Sequence, residues 1–366
     1  MLFEPFSLRA IALKNRMVMS PMTRSRAIEA ATPNALMAEY YAQRAGAGLI
    51  ITEGTSPSPN GLGYARIPGL YNDAQAAGWR HVTDAVHAKG GKIFVQLMHT
   101  GRVTHALNLP DRAEVVGPTV EICPGEMYTD RRGMQPHTPP RAMEEKDIRH
   151  AVDEYAHAAR LAIQAGFDGV ELHGANGYLI EQFLNANVNK RTDRWGGSIE
   201  NRNRFALEVA RAAANAIGAE KLGIRLSPYG AFNATGAFPE VDAQYVALVK
   251  ELSSLGLLYI HVLDHSAMGA PKVPDAIKAK LRETFKGAYI AAGGFDKASA
   301  EQWLKEGRAD LIAFGRPFLA NPDLPERYRK GAALNEPDMA TFYTPGEKGY
   351  TDYPRLSAEP ARDAAR

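Results

Sequence analysis

Residues 173 to 178 read HGANGY. Within six positions the chain sets an imidazole (His173), a carboxamide (Asn176) and a phenol (Tyr178), separated by glycines at 174 and 177. His173 and Asn176 can each hold an oxygen of a substrate, and a phenol can release a proton. The same side chains in a glycine-rich turn also serve as caps and loop contacts. Which of the two they do here depends on the elements that carry them.

Other residues outside this stretch also have chemical potential. Gln96, in FVQLMH, offers both a donor and an acceptor to the edge of a heterocycle, and serves equally well as a satisfied core amide. Arg225, in GIRLSP, is a guanidinium inside an apolar run. Buried without a partner it would be costly, so it implies an anionic or polarised group facing it. The late stretches AAGG and AFGR leave backbone N–H groups free at a helix start, with Arg316 alongside, a common way to hold a phosphate. No HExxH, paired cysteine or aspartate cluster supports a metal site, and there is no GxSxG elbow for a hydrolase.

The elements that must position these groups follow a repeating rhythm. A helical stretch, a glycine stop and a short β-rich run recur seven times, in EYYAQRAGAGLIITEG, VHAKGGKIFVQLMH, AIQAGFDGVELHG, ANAIGAEKLGIRLSP, LSSLGLLYIHVL, FKGAYIAAGG and LKEGRADLIAFGR. The opening run RMVMSP makes an eighth strand. Each run is short and almost wholly apolar, as parallel strands buried on both faces require. Before the fourth, Ile148, Val152, Tyr155, Ala159, Ala162 and Ile163 fall at steps of three or four and predict one helix face packed on the sheet.

Eight such units predict an α/β fold, a (β/α)8 TIM barrel, rather than a doubly wound sheet, for which a GxGxxG turn is missing. The segment LFEPFSLRAIAL predicts an N-terminal hairpin plugging the barrel floor. A long insertion after strand 3, approximately residues 102 to 143, carries Pro110, Pro118, Pro124, Pro136, Pro139 and Pro140 and reads as a lid. The expected organisation is a single domain over residues 1–354, followed by a disordered tail at 355–366.

Composition narrows the class further. A chain of 366 residues, 45% hydrophobic and 23% charged, with a formal charge of +2, is expected to be soluble, with no nucleic-acid or membrane partner. Its single cysteine, Cys123, excludes an internal disulfide and a Cys-held zinc or iron-sulfur centre within one chain, and fits a reducing, cytoplasmic setting. No apolar run approaches the ~18 residues of a spanning helix.

In a barrel of this kind, catalytic groups come from the C-terminal strand ends. Here those ends carry Pro21, Met22, Thr23 and Arg24, then Glu53 and Gly54, Gln96 to His99, His173 to Tyr178, Arg225, and the two glycine-rich stretches. Polar and aromatic residues gather where packing alone would favour apolar ones. The motifs PMTRSR, EGT with GLGYARIPGL, QLMHTGR, GFDGVELHGANGYLIEQFLNANVNKRTDRWGGSIENR, GIRLSP, AFGRPFLANPDL and GYTDYP occur in that order between Pro5 and about Pro354. Together they resemble the old yellow enzyme family of flavin-dependent alkene reductases, in its N-ethylmaleimide reductase-like branch.

The resemblance implies bound FMN, with its phosphate on Gly294, Gly315 and Arg316 and its ring among Pro21, Met22, Thr23, Gly54, Gln96 and Arg225. Thr23 would stabilise negative charge on the reduced ring. It further implies that His173 and Asn176 hold the substrate oxygen, Tyr178 donates the proton, and Tyr64, Met98 and Tyr343 line the substrate cavity. On that reading Gly174 and Gly177 let the backbone turn tightly enough for the side chains to converge. Met98 stands where many relatives carry tryptophan, which implies a roomier pocket.

The implied activity is NAD(P)H-dependent reduction of the activated C=C bond of α,β-unsaturated carbonyls, maleimides or nitroalkenes, with hydride passing through FMN in a ping-pong scheme. NADPH or NADH would be the transient reductant, the partners small electron-poor alkenes, and the chain a monomer or homodimer. Reduction of nitrate esters or nitroaromatics at the same site is the alternative, and a flavin-holding binding protein is a third reading, against which Tyr178 argues.

Overall fold

A computed structural model describes residues 1–356 and has a closed eight-stranded parallel barrel at its centre. The barrel strands are β1 (Met17–Met19), β2 (Leu49–Thr55), β3 (Ile93–Leu97), β4 (Gly169–Gly174), β5 (Leu222–Leu226), β6 (Tyr259–Leu263), β7 (Ala288–Ala292) and β8 (Leu311–Phe314). Pairing of Ile312 with Met17 closes the ring. These are the eight runs that the sequence rhythm predicts, and the fold is the expected (β/α)8 barrel.

Strand alternation divides the apolar residues into two shells. Val18, Leu49, Ile51, Phe94, Tyr259, Ile290 and Leu311 pack together inside the barrel. Met17, Met19, Ile50, Val170, Leu172, Ile260 and Ala291 face outward into the larger core beneath the helices. On β4 the same alternation turns Glu171 and His173 inward, alternating with the outward-facing Val170 and Leu172. The helix Glu145–Gln164 packs with Ile148, Tyr155, Ala159 and Ala162 buried, whereas Val152 and Ile163 lie half-buried at the margins of the stripe.

Phe6–Leu8 and Ile11–Leu13 form the expected antiparallel hairpin. Its Leu8 and Leu13 belong to the inner apolar cluster, so the hairpin stoppers the barrel floor. The predicted lid has structure of its own. Glu126–Thr129 pairs antiparallel with Gly133–Pro136, and Val116–Gly117 pairs with Arg141–Ala142. Val103, Cys123 and Met127 turn inward from it onto Tyr64 and Tyr178.

The C-terminal segment returns to the barrel mouth. Arg24 Nη2 donates to Gly349 O (2.7 Å), Arg26 donates to Thr341 O and Phe342 O (each 2.8 Å), and Tyr350 stacks on Tyr40 at 4.0 Å. These contacts bring Phe342 and Tyr343 to the rim. Leu356 N donates to Asp323 Oδ2 (2.6 Å); the rest of the expected tail, residues 357–366, lies outside the described residues.

Candidate active site

A cavity of about 590 Å3 opens at the C-terminal mouth of the barrel. Every residue that the resemblance assigns to the flavin or the substrate lines it: Pro21, Met22, Thr23, Gly54, Tyr64, Gln96, Met98, His173, Asn176, Tyr178, Arg225, Gly294, Gly315, Arg316 and Tyr343; Arg24, Glu53 and His99, at the same strand ends, do not. Among the described residues, no group of three or more His, Cys, Asp or Glu is placed to hold a metal ion, and no helix is long and apolar enough to cross a membrane.

His173 is the penultimate residue of β4, with its ring inside the barrel. Its Nδ1 accepts from Ala175 N (3.3 Å), which puts the ring proton on Nε2. Burial, with the Arg225 charge adding to it, holds this imidazole well below its usual range, so it stays neutral and keeps one N–H. Nδ2 of Asn176 lies 3.4 Å from that Nε2. Two hydrogen-bond donors therefore converge on the same part of the cavity.

The turn that brings them together departs from expectation. The left-handed backbone falls on Asn176 (φ +60°) and Gly177 (φ +76°), not on Gly174. Asparagine tolerates that region better than most side chains, because its short amide can bond locally. Gly174 is needed for close approach instead, since a Cβ there would lie 3.0 Å from Arg225 O. Beneath the turn, Glu181 accepts from Gly177 N (2.6 Å), Ser227 Oγ (2.9 Å) and Tyr245 Oη (3.1 Å), and Ser227 Oγ accepts from Asn176 N (3.0 Å). Burial raises the Glu181 carboxyl to about 7 against these bonds.

Tyr178 is the N-cap of the short helix Leu179–Leu184, with its ring edge-on to His173 at 5.0 Å. Burial pushes its phenol up to about 12. It therefore remains protonated at neutral pH, as a proton donor must.

Below the donors, Gln96 Nε2 donates to Glu171 Oε1 (2.8 Å), and Glu171 Oε2 accepts from Tyr259 Oη (3.0 Å) and lies 2.9 Å from His261 Nδ1. This carboxylate fixes the Gln96 amide and leaves its carbonyl free for a ligand. Arg225 pairs in register with His173 on one side and His261 on the other. Its guanidinium is buried and makes no hydrogen bond among the described residues, and Nε is fully enclosed. An orphaned buried cation of this kind fits a ligand with an electron-rich edge.

Just past the end of β7, also lining the cavity, Gly293 (φ +132°) and Gly294 (φ +70°) adopt conformations that favour glycine. A Cβ would also meet Asp264 O at 2.4 Å from the first, or Ala267 Cβ at 2.4 Å from the second. Arg316 is exposed beside them and has no partner among the described residues. A glycine-lined anion cradle on β7 and β8 and a guanidinium without a hydrogen bond on β5, lining one cavity, suit a ligand with a phosphate tail and a polar ring, as FMN has.

Several positioning residues escaped the sequence reading. Glu181 and Gln182 stand out in YLIEQF only as polar residues in an apolar helix. Gln182 ties two motifs together, donating to Thr100 O (2.9 Å) and Gly177 O (2.8 Å). His265, just past the end of β6, also lines the cavity; the signal was a histidine at the one strand end left unread.

The barrel and the chemistry of its mouth define a flavin-dependent oxidoreductase. The chain belongs to the NADH:flavin oxidoreductase / NADH oxidase family, whose sequence model matches residues 1–335, and within it to the old yellow enzymes. It is 40% identical to 12-oxophytodienoate reductase 7 of Oryza sativa subsp. japonica, over 99% of this chain and 96% of that protein. To a probable flavin mononucleotide-dependent alkene reductase of Leishmania infantum it is 42% identical, over 96% and 97%. Among solved structures, morphinone reductase superposes with a TM-score of 0.93 at 46% identity, covering 97% of this chain and 96% of that one, and has also been solved in complex with tetrahydroNAD. The protein is thus an FMN-dependent NAD(P)H oxidoreductase.

Proposed function

We propose that this enzyme reduces the activated C=C bond of small α,β-unsaturated carbonyls, maleimides or nitroalkenes. The observation that carries the reading is the convergence of His173 Nε2 and Asn176 Nδ2, 3.4 Å apart, beside the Tyr178 phenol. When bound, FMN supplies a hydride obtained from a reduced nicotinamide. Gly294, Gly315 and Arg316 would hold its phosphate, and Pro21, Met22, Thr23, Gly54, Gln96 and Arg225 its ring.

His173 and Asn176 donate hydrogen bonds to the substrate oxygen, where negative charge grows as the β-carbon accepts hydride. Tyr178 gives its proton to the α-carbon, so that the net change is addition of H2 across the double bond. Val103, Cys123 and Met127 of the lid pack against Tyr64 and Tyr178 and shield the phenol from water. NADPH or NADH uses the same mouth, a reading supported by the tetrahydroNAD complex of morphinone reductase.

The test is anaerobic and optical. NADPH or NADH should bleach the flavin absorbance of the purified holoenzyme, and cyclohex-2-enone should restore it with formation of cyclohexanone. Bleached protein that cyclohex-2-enone, N-ethylmaleimide and a nitroalkene all fail to reoxidise would reject the proposal.

A further inference from the structure

Asn176 can present either end of its carboxamide to a substrate, and only the N–H end suits an acceptor oxygen. Its Oδ1 lies 2.7 Å from His265 Nε2, and its Nδ2 lies 3.4 Å from His173 Nε2. Two proton arrangements satisfy these distances. In one, His265 Nε2–H donates to Asn176 Oδ1, which leaves Asn176 Nδ2 and His173 Nε2–H both free to meet a ligand. In the other, the carboxamide is turned over. Asn176 then donates to a bare His265 Nε2, and His173 gives its only hydrogen to Asn176 Oδ1. The convergent donor pair is then lost.

The surroundings favour the first arrangement. His265 Nδ1 is buried and has no hydrogen-bond partner among the described residues. It is a bare acceptor in the first arrangement and an orphaned N–H in the second, and buried orphan N–H groups are the rarer. Burial, reinforced by Arg225, lowers the His265 imidazole to about 4, so it holds a single proton. Phe232 packs against the ring at 4.4 Å and fixes its plane. Asn176 is held at both backbone ends, donating from N to Ser227 Oγ (3.0 Å) and accepting at O from Asn233 Nδ2 (2.7 Å). Its side chain therefore has little freedom beyond this flip.

We propose that His265 is a positioning residue: it orients the Asn176 carboxamide so that two donors, rather than one donor and one acceptor, face the substrate oxygen. This rests on reading His173 and Asn176 as the oxygen-holding pair.

The experiment compares wild type, Asn176→Ala, His265→Phe, His265→Gln and the Asn176→Ala/His265→Phe double variant as FMN-loaded holoenzymes. Reduced enzyme is mixed with cyclohex-2-enone, or separately with dioxygen, which offers no carbonyl, and reoxidation is followed by flavin absorbance. Phenylalanine keeps the ring contact with Phe232, and glutamine restores an N–H donor. H265F should slow the enone reaction about tenfold or more, less than the ~10²–10³-fold that loss of a whole oxyanion donor costs. H265Q should recover much of that rate, and reoxidation by dioxygen should stay near wild type. In the N176A background, H265F should add no more than about twofold, because the two residues act as one unit.

Three results would overturn the proposal: H265F within about twofold of wild type, losses that multiply in the double variant, or an equal loss with dioxygen. If N176A itself leaves the enone rate unchanged, the oxygen-holding pair fails and this inference falls with it. A slow N176A beside an unaffected H265F sinks the inference alone.

Discussion

Tyr178 Oη and Tyr64 Oη lie 3.0 Å apart, and their rings meet edge to face at 6.2 Å. Burial pushes the Tyr178 phenol up to about 12, and the bond from Tyr64 opposes that rise. Tyr64 is therefore placed to steady the oxygen that Tyr178 exposes when it gives up its proton.

Replacing Tyr178 by Phe should slow enone-dependent reoxidation by roughly 10²-fold or more and leave FMN reduction by NADPH nearly intact. Tyr64→Phe should slow the same half-reaction by only about three- to tenfold, the worth of one neutral hydrogen bond. Stopped-flow absorbance separates the two steps. Equal losses in both half-reactions for Tyr178→Phe would remove it as the proton donor.

Arg225 has no hydrogen-bond partner among the described residues and only a longer-range attraction to Glu171, so its removal should cost the ligand more than the fold. Arg225→Met should weaken FMN binding by about tenfold or more, while the apoprotein loses far less Tm than the holoprotein. Isothermal titration of apoprotein with FMN, beside calorimetric scans of both forms, makes the comparison. A parallel fall in both melting temperatures would assign Arg225 to the barrel core alone.

Glu53 and Glu181 are fully buried, and burial raises each carboxyl to about 7. The folded protein therefore holds these protons at a pH where the unfolded chain has released them. Their stabilising contribution is complete below the ordinary carboxyl range near 4.5 and is lost as pH rises through about 7. Tm should fall between about pH 5 and pH 8, and Glu181→Gln should flatten that slope. An unchanged slope in E181Q would exclude Glu181 as a contributor.

Met98 fills the space over Gly54, where a Cβ would lie 2.4 Å from its sulfur, and it packs with Leu62 and Ile67. The roomier pocket expected from its type is thus partly filled by the thioether itself. Met98→Trp should overpack this cluster, lower stability by about 1–3 kcal/mol and change rates and product enantiomers with bulky cyclic enones. Unchanged rates and enantiomers would reject a pocket-shaping role.

The barrel was legible because its signal is local. Eight short apolar runs and the helical stripes between them follow from strand and helix periods of two and 3.6. His173, Asn176 and Tyr178 were legible for the same reason, since one strand end carries all three and strand alternation alone turns His173 inward. The identity of the left-handed residues was not, because Gly174, Asn176 and Gly177 all tolerate that conformation, and the contacts that hold the Asn176 backbone, to Ser227 Oγ and from Asn233 Nδ2, come from distant parts of the chain.

Residue types and their order determined the barrel, the cradle glycines and the chemistry available at β4. The tertiary structure decided how those groups are held. His265 meets Asn176 across 89 positions of sequence, Gln96 meets Glu171 across 75, and Arg26 draws Phe342 to the rim across 316. No period or spacing encodes such pairs. They exist because the closed barrel sets the register of neighbouring strands and brings their ends, with the loops beyond, around one cavity.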